Sequence, residues 1–517
     1  MQIKSYAKCY SGAINGVEAS TVEIEVYSVE SQSSFAIVGL PDAAVKEAKD
    51  RVTTAVKNSG YSSKKEWAVT VNLAPADVKK EGPIYDLPIA ISFLAATGRI
   101  TNPNLGDYAL VGELALSGEV RSVRGVLPIV MEMKRIGRKC VIVPEANKLE
   151  ASVVEGIDVV PVTTLRETTL FLNGECEISP VHTDLGDFVR RDADLGDDFA
   201  DVKGQETVKR ALEVAVAGGH NILMIGSPGS GKTMLARRVP SILPPMTVEE
   251  SLEVSRIHSI AGASKGVRGF VTQRPFRAPH HTVSSIGLLG GGTHPVPGEV
   301  SLAHRGVLFL DEFAEFPRNA LEVLRQPLED GHVCVSRAAA AFDYPSRFML
   351  VAAMNPCPCG YYNDPSHECR CSQSQILKYQ RRISGPLLDR IDIQVGVREV
   401  PLRDLQRLST GESSATIRSR VCAARELQKA RYANMPGVLT NADVRSRHLN
   451  DVCRLSEAMV ACVRHVMESL HLSARAYDRL LRVSRTIADL AGRDDVVSED
   501  VFEAASFRQL ESGFFWA

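Results

Sequence analysis

The spacing of hydrophobic and polar positions changes along the chain and divides it into zones. In residues 1–175, period-two segments rich in β-branched residues, typical of strands, alternate with amphipathic or buried helical segments. The strand-like segments are Thr21–Val29, Glu66–Leu73, two runs within Tyr108–Val123 joined by a Ser117-Gly118 hairpin, Lys139–Val143 and Val159–Val162; the helical ones are Pro41–Ser59 and Leu87–Ala96. This alternation predicts an α+β or α/β domain.

A polar, acidic stretch follows the first zone. Asp184–Asp201 contains seven aspartates and two arginines. Such a composition is typical of a solvated linker. We therefore predict a linker over residues 176–200.

The remaining chain changes from an α/β pattern to a purely helical one. Residues 201–397 alternate short apolar strands with helices, and strand signals stop at about Arg398. The helical segments that follow are Ser413–Arg431, Asp451–Ser469, Ser473–Ala491 and Ser498–Gln509, with Ser473 and Ser498 suited to N-caps and Gly492 to the position after a C-terminus. We predict an α/β core followed by a small helical bundle over residues 398–517.

Length and charge add limits to this picture. The chain has 517 residues and a formal net charge of −2, which fits about three domains of roughly 150 residues. The charge excludes a uniformly basic surface, so any contact with nucleic acid must come from a local basic patch. The segment Met1–Ser5 lacks the apolar core of a signal peptide, and the longest apolar stretch, around Leu87–Ala96, is shorter than the roughly 20 residues of a membrane span. We expect a soluble, cytoplasmic protein without a membrane partner.

The most specific motif is a complete G-x-x-x-x-G-K-[ST] between an apolar strand and a helix. Backbone N–H groups of such a loop cradle phosphates, the lysine reaches the β- and γ-phosphates, and the hydroxyl ligates Mg²⁺. The motif predicts an ATP site formed by Gly226, Ser227, Pro228, Gly229, Ser230, Gly231, Lys232 and Thr233. A structural Gly-rich turn is the weaker alternative.

Two further apolar strands end in polar residues suited to the same site. One strand ends in Asp311, expected to hold Mg²⁺, and Glu312, expected to orient and deprotonate the attacking water. The strand Arg347–Met354 ends in Asn355, where AAA+ ATPases have the sensor-1 residue. The alternatives are a solvated strand end for the two acids and a turn cap before Pro356 for Asn355.

Arginines after these strands extend the predicted site. Arg390 resembles an arginine finger that stabilises the γ-phosphate of a neighbouring subunit, which implies an oligomeric ring; a local salt bridge with Asp389 or Asp392 is the alternative. Arg475 suits a sensor-2 role on the helical lid, and the competing candidates are Arg479 and Arg482.

Four of the 11 cysteines crowd into a short polar segment at about residues 355–372. Cys357, Cys359, Cys369 and Cys371 form two C-x-C pairs, and four thiolates satisfy tetrahedral Zn²⁺ in a closed structural site. Reduced packing cysteines or a redox pair are the alternatives, and His367 is a possible substitute ligand.

The chain resembles the ComM family of magnesium-chelatase-like AAA+ ATPases. The residues that carry the resemblance are Asp201–Gln205, Gly219–Asn221, Arg274–Thr282, Pro297–Gly306 and Asn355–Gly360. It implies an AAA+ core with a helix-2 insert and a pre-sensor-1 hairpin, here Val333–Tyr344, lining the pore of a hexameric DNA motor. It also implies ATP-dependent branch migration on single-stranded and branched DNA during natural transformation, together with recombination proteins. Arg274, Arg277 and Arg337 are the candidate DNA contacts, with intersubunit or nucleotide contacts as the alternative.

The first zone resembles the catalytic domain of Lon proteases, of ribosomal-S5-like fold. By that resemblance Ile84 stands where Lon proteases have the nucleophilic serine, and Met133 stands at the lysine position, with Lys134 adjacent. A serine–lysine dyad needs a hydroxyl and a base. We therefore expect a degenerate domain without protease activity.

The function that competes with a DNA motor is that of a chelatase-type motor subunit that remodels a protein partner.

Overall fold

The structure is a computed structural model that describes residues 6–61, 65–183, 196–263, 270–292, 295–336, 341–400, 411–470 and 474–508. The strands are β1 (Tyr6–Asn15), β2 (Glu18–Glu30), β3 (Ser34–Val38), β4 (Trp67–Ala74), β5 (Tyr108–Leu110), β6 (Glu113–Leu114), β7 (Val120–Arg121), β8 (Cys140–Pro144), β9 (Asp158–Val162), β10 (Ile222–Ile225), β11 (Phe276–Arg277), β12 (Gly290–Gly291), β13 (Val296–Pro297), β14 (Val307–Leu310), β15 (His332–Ser336), β16 (Ala341–Pro345), β17 (Met349–Met354) and β18 (Ile393–Gly396).

The helices are α1 (Ala43–Asn58), α2 (Asp86–Ala96), α3 (Val126–Arg135), α4 (Lys148–Ala151), α5 (Leu165–Leu172), α6 (Glu206–Gly218), α7 (Lys232–Ile242), α8 (Val248–Ala261), α9 (Ser285–Leu289), α10 (Glu299–Leu302), α11 (Arg318–Glu322), α12 (Arg325–Asp330), α13 (Gln373–Gln380), α14 (Gly385–Leu388), α15 (Ser414–Tyr432), α16 (Ser446–Cys453), α17 (Glu457–Ser469), α18 (Ala474–Leu490) and α19 (Ser498–Ser506). Short 3₁₀ turns lie at Pro83–Tyr85, Leu105–Asp107, Glu145–Asn147, Phe199–Asp201, Phe313–Glu315 and Asn441–Asp443.

The chain divides into two compact units. The first contains residues 1–191, 247–272 and 336–344, and the second contains residues 192–246, 273–335 and 345–517. Each unit is thus assembled from segments that are separate in the sequence.

The first unit is built on a mixed sheet. Its strand order is β3-β4-β2-β1-β5-β8-β9; β1 pairs with β2 and β2 with β4 antiparallel, and the other neighbours are parallel. Helices α2 and α3 pack on the sheet through side chains that are almost wholly buried. Helix α8 belongs to this unit, because the amide of Gly125 donates to the carbonyl of Ser259 at 3.2 Å and the Ser259 hydroxyl donates to Glu150.

The second unit contains a parallel sheet with the order β11-β14-β17-β10-β18. Strands β10, β14 and β17 are buried along their whole length, as their continuous runs of apolar residues predict for strands covered on both faces. The order places β10 between β17 and β18, so the loops after β10, β14 and β17 open at the same sheet edge. Ligands bind at that edge in open parallel sheets.

The C-terminal helices agree in part with the sequence-based expectation. Helix α15 and the left-handed Gly492 after α18 agree with the prediction. The single helix predicted over Asp451–Ser469 is wrong, because two helices, α16 and α17, occupy this region. Arg454 adopts φ 47°, which ends α16, and the Ser456 hydroxyl accepts from Met459 to begin α17. Ser498 is the first residue of α19 instead of its cap, and Ser473 lies outside the described residues.

The strands β15 and β16 form a two-stranded sheet where the resemblance predicts a hairpin. The tip residues 337–340, including Arg337, lie outside the described part of the chain. Within that part, no helix is both long and apolar enough to cross a membrane.

Candidate nucleotide site and metal centre

The loop between β10 and α7 has the backbone of a phosphate-binding loop. Gly229 and Gly231 adopt φ of 81° and 92°, in the left-handed region that favours glycine. A Cβ on Gly226 would lie 2.2 Å from the Val397 carbonyl oxygen, whereas a Cβ on Gly229 would meet no atom within 4 Å. The loop is therefore close-packed at its base and open at its tip, where a phosphate can approach.

Lys232 begins α7 and is held inside this loop. Its ammonium group donates to the carbonyls of Gly226 and Ser227 at 2.8 and 2.9 Å and to Asn355 Oδ1 at 3.2 Å. The side chain is buried, and burial lowers the pKa of Lys232 to about 8. The lysine is thus a desolvated cation that oxygen atoms surround.

The ends of β14 and α7 meet at the predicted magnesium ligands. The Thr233 hydroxyl donates to Asp311 Oδ2 at 2.6 Å, and the other carboxylate oxygen of Asp311 accepts from the Glu312 amide at 2.9 Å. Hydroxyl and carboxylate oxygens are ligands that Mg²⁺ prefers.

Glu312 adopts φ 52°, and its side chain is exposed beside a histidine. Nδ1 of His281 lies 2.9 Å from Glu312 Oε2. His281 follows β11, the edge strand next to β14. His281 lies in the segment Arg274–Thr282 that carries the family resemblance, and its residue type and spacing alone indicate no role at the nucleotide site.

These residues fit ATP and magnesium. A buried ammonium, an open glycine tip and a hydroxyl–carboxylate pair lie at one sheet edge. These are the groups that the sequence motifs predict for a nucleotide site. Gly226, Ser227, Pro228, Gly229, Ser230 and Gly231 would hold the phosphates with Lys232, and Thr233 and Asp311 would hold Mg²⁺. Bound magnesium supplies charge neutralisation at the β- and γ-phosphates.

Arg390 lies after α14 and is engaged within its own chain. Nη1 donates to the Pro386 carbonyl at 2.7 Å, and Nη2 pairs with Glu329. Glu329 is thus a local ion-pair partner of Arg390 in addition to the two that the sequence indicated as alternatives. To contact the γ-phosphate bound to a neighbouring subunit, Arg390 would have to give up its ion pair with Glu329.

The three lid arginines lie on α18. The side chain of Arg475 is outside the described part of the chain. Arg482 Nε donates to the Val444 carbonyl at 2.8 Å, and Arg479 Nε lies 3.5 Å from Asp392 Oδ1.

Asp392 connects the lid to the parallel sheet. It is buried, and its Oδ2 lies 3.2 Å from Nδ1 of His220, whose Nε2 lies 2.8 Å from the Thr486 hydroxyl. Burial alone would raise the pKa of Asp392, but the hydrogen bond to His220 and the charges of His220, Arg479 and Arg482 lower it to about 2.

The four clustered cysteines converge in the segment 355–372, which we name the cysteine loop. All four are free cysteines whose sulfur atoms lie within 4.8 Å of one another. Cys357 Sγ lies 3.4 Å from Cys359 Sγ and 3.7 Å from Cys369 Sγ, and the last two sulfurs are 3.6 Å apart. Tetrahedral zinc at about 2.3 Å from each sulfur sets the sulfurs about 3.8 Å apart, so the spacing fits a zinc site.

The two described candidate DNA-binding arginines are both engaged within the second unit. Arg274 donates to the carbonyls of Pro244 and Arg305, each at 2.7 Å. Arg277 forms a bidentate ion pair with Glu299 at 2.7 and 2.9 Å. A contact of either residue with DNA stays a prediction.

The Lon-like positions are apolar. Ile84 and Met133 are buried in the core of the first unit, and the adjacent Lys134 is exposed. These positions offer neither a nucleophile nor a desolvated base.

Comparison with known proteins identifies the relatives of this chain. The family models "Subunit ChlI of Mg-chelatase", "Magnesium chelatase, subunit ChlI" and "Magnesium chelatase, subunit ChlI C-terminal" match residues 22–147, 198–405 and 411–508. The chain is 44% identical over 509 residues to YifB of Escherichia coli, which covers 97% of each chain. It is 42% identical over 511 residues to "Competence protein ComM" of Haemophilus influenzae, covering 98% of each chain. It is 23% identical over 181 residues, 32% of each chain, to "Lon protease 2" of Bacillus subtilis.

The parallel sheet, the phosphate-binding loop and these matches define an AAA+ ATPase of the magnesium-chelatase type. The chain belongs to the YifB/ComM family.

Proposed function

We propose that the protein is a DNA translocase that uses ATP to drive branch migration during the recombination of incoming DNA. The observation that carries the proposal is the meeting of Lys232, Thr233, Asp311 and Glu312 at one sheet edge, in a chain 42% identical to a competence protein. The proposed substrates are single-stranded and branched DNA, and the proposed site of action is the cytoplasm. Recombination proteins are the proposed partners.

The proposed catalytic set acts on the γ-phosphate and its attacking water. Glu312 orients and deprotonates the water, and Asn355, bonded to Lys232, senses the γ-phosphate. Arg390 acts as an arginine finger at the nucleotide site of the next subunit. Arg475 of the lid acts as the sensor-2 residue at the nucleotide site of its own subunit. An arginine supplied by a neighbour requires a repeated head-to-tail interface, and we propose that this interface closes into a homohexameric ring.

We further propose that the cysteine loop holds one structural Zn²⁺. The support is the spacing of the sulfur atoms and the four-cysteine ligand set without an open position. Metal analysis of the purified chain tests this directly, with one zinc per chain expected. A metal-free protein with reduced thiols would contradict it.

DNA contact is proposed to involve mainly the phosphate backbone. The near-neutral net charge means that a local basic surface inside a ring must supply this contact, and the candidates are Arg274, Arg277 and Arg337. Phosphate binding of this kind weakens steeply with salt and shows little sequence preference.

The test is ATP turnover with and without DNA at low salt. We expect single-stranded or forked DNA to stimulate turnover, and the stimulation to disappear as salt rises. Lys232→Ala should abolish both the basal and the stimulated rate. Turnover that ignores every DNA tested, without DNA binding at low salt, would contradict the proposal.

The second candidate is a chelatase-type motor subunit that remodels a protein partner. The magnesium-chelatase family models, which match most of the chain, favour it. Stimulation of turnover by a partner protein and not by DNA would decide for this alternative.

A further inference from the structure

The cysteine loop begins at the nucleotide site itself. Asn355, its first residue, accepts from the Lys232 ammonium at 3.2 Å, and Cys357 follows two residues later. At its base, Gln380 Nε2 donates to the Pro356 carbonyl at 3.3 Å. A shift of the first cysteine would therefore move the residue that contacts Lys232.

The middle of the cysteine loop packs against the phosphate-binding loop. Gly360 adopts φ 88°, and a Cβ built on it would lie 2.5 Å from Cδ of Pro228. This distance is shorter than real Cβ contacts, so only glycine permits the approach. Gly360 follows Cys359 directly, so the contact between Gly360 and Pro228 lies next to a second proposed metal ligand.

Asp364 holds the turn between the two cysteine pairs. Its carboxylate accepts from the amides of Ser366 and His367 at 2.8 and 3.0 Å.

The cysteine loop contains neither helix nor strand between Asn355 and the start of α13, all of which the structure describes. The convergence of the four sulfurs is therefore a main constraint on its shape. In small sites of this kind, metal binding and folding are coupled.

We propose that the metal centre of the cysteine loop is required for ATP binding, because the metal-ordered loop forms one wall of the phosphate-binding loop. This inference rests on the zinc site proposed above. It adds that the nucleotide site is complete only in the metal-loaded protein, so that metal supply sets the fraction of molecules able to bind ATP.

The experiment measures zinc content and ATP affinity on the same full-length samples. Affinity is measured with a fluorescent, non-hydrolysable ATP analogue and Mg²⁺. Cys371→Ser should lose zinc and raise the Kd at least about tenfold, and Cys176→Ser, a substitution of an exposed cysteine in the first unit, should change neither value.

A second pair of variants separates metal binding from contact with the phosphate-binding loop. Gly360→Ala should keep one zinc per chain and raise the Kd by about tenfold, because the added Cβ would lie 2.5 Å from Cδ of Pro228 and displace the phosphate-binding loop. Glu368→Ala, which alters an exposed acid of the same loop, should leave both values at the wild-type level. This pair remains informative if Cys371→Ser does not fold.

The outcomes distinguish the two proposals. Wild-type affinity in zinc-free Cys371→Ser, or in Gly360→Ala, would overturn the required role of the loop and leave the zinc site standing. A wild-type chain without zinc would overturn both. Neither result depends on DNA, so a failure of the DNA-motor proposal would be seen separately.

Discussion

Raising the pH should weaken ATP binding through Lys232. Burial lowers the pKa of this lysine to about 8, and its ammonium group is held by the carbonyls of Gly226 and Ser227. Triphosphate charge stabilises the protonated form, so the pKa rises again when ATP binds. Because the ammonium is the form that binds ATP, affinity is full below the pKa of the free protein and falls as the pH rises through it.

The magnitude follows from the two protonation equilibria. With a pKa of about 8 in the free protein and a lysine that stays protonated in the complex, Kd rises about tenfold between pH 7 and pH 9, or about 1.4 kcal/mol. Proton uptake per bound nucleotide is then about 0.5 at pH 8 and about 0.9 at pH 9.

Isothermal titration calorimetry in two buffers of different ionisation enthalpy measures this uptake. The titrant is a non-hydrolysable ATP analogue with Mg²⁺, and Lys232→Arg is the control because arginine stays charged across this range. Equal heats in both buffers at pH 9, or the same uptake in Lys232→Arg, would refute the assignment of the proton to Lys232.

Other residues of the site give further predictions. Glu312→Gln should retain ATP binding but lower turnover at least about 100-fold, seen as unhydrolysed ATP extracted from the protein; normal turnover would remove Glu312 from its role. His281→Ala should lower kcat about tenfold with an unchanged ATP Kd, because Glu312 loses the partner 2.9 Å away; an unchanged kcat would show that this contact is incidental. Arg390→Ala and Lys232→Ala should each be inactive, yet an equal mixture should regain up to about a quarter of wild-type turnover, since a random ring then contains intact interfaces; no recovery would argue against an arginine supplied by the neighbour. Asp392→Asn should lower the free energy of unfolding by about 2 kcal/mol at pH 7, and the wild type should lose this amount as the pH falls from about 4 to about 2; denaturant curves that coincide at pH 7 would contradict this.

The nucleotide site was predictable because its signals are local and its geometry follows from parallel strands. Asp311 and Asn355 each end a wholly apolar strand. The carboxyl ends of neighbouring parallel strands meet at one edge, so motifs distant in sequence had to converge on Lys232. Their catalytic roles remain predictions, while their proximity is a property of the fold.

The side-chain partners were not predictable in the same way. His281, beside Glu312, lies in the loop that follows β11, and Glu329, beside Arg390, lies on α12. Their encounters depend on loop conformations and helix packing, which the local hydrophobic pattern does not encode. The contact of Gly360 with Pro228 likewise becomes visible only when the two loops are brought together in space.

The assignment of segments to the two compact units was also only partly predictable from the sequence. Continuous apolar runs predicted the buried strands of the second unit, whereas nothing in the pattern of α8 indicated that it belongs to the first unit. Contacts such as that of Ser259 with Glu150 determine this membership. The break at Arg454 was missed because a left-handed residue other than glycine gives no clear sequence signal.

Branch migration on a synthetic four-way junction tests the central claim most directly. The wild-type chain with ATP and Mg²⁺ should convert the labelled junction to duplex products, at a rate that falls with rising salt. Glu312→Gln should bind the junction without converting it. Junction conversion that is independent of ATP, or its absence while ATP turnover proceeds normally on the same DNA, would contradict a branch-migration motor.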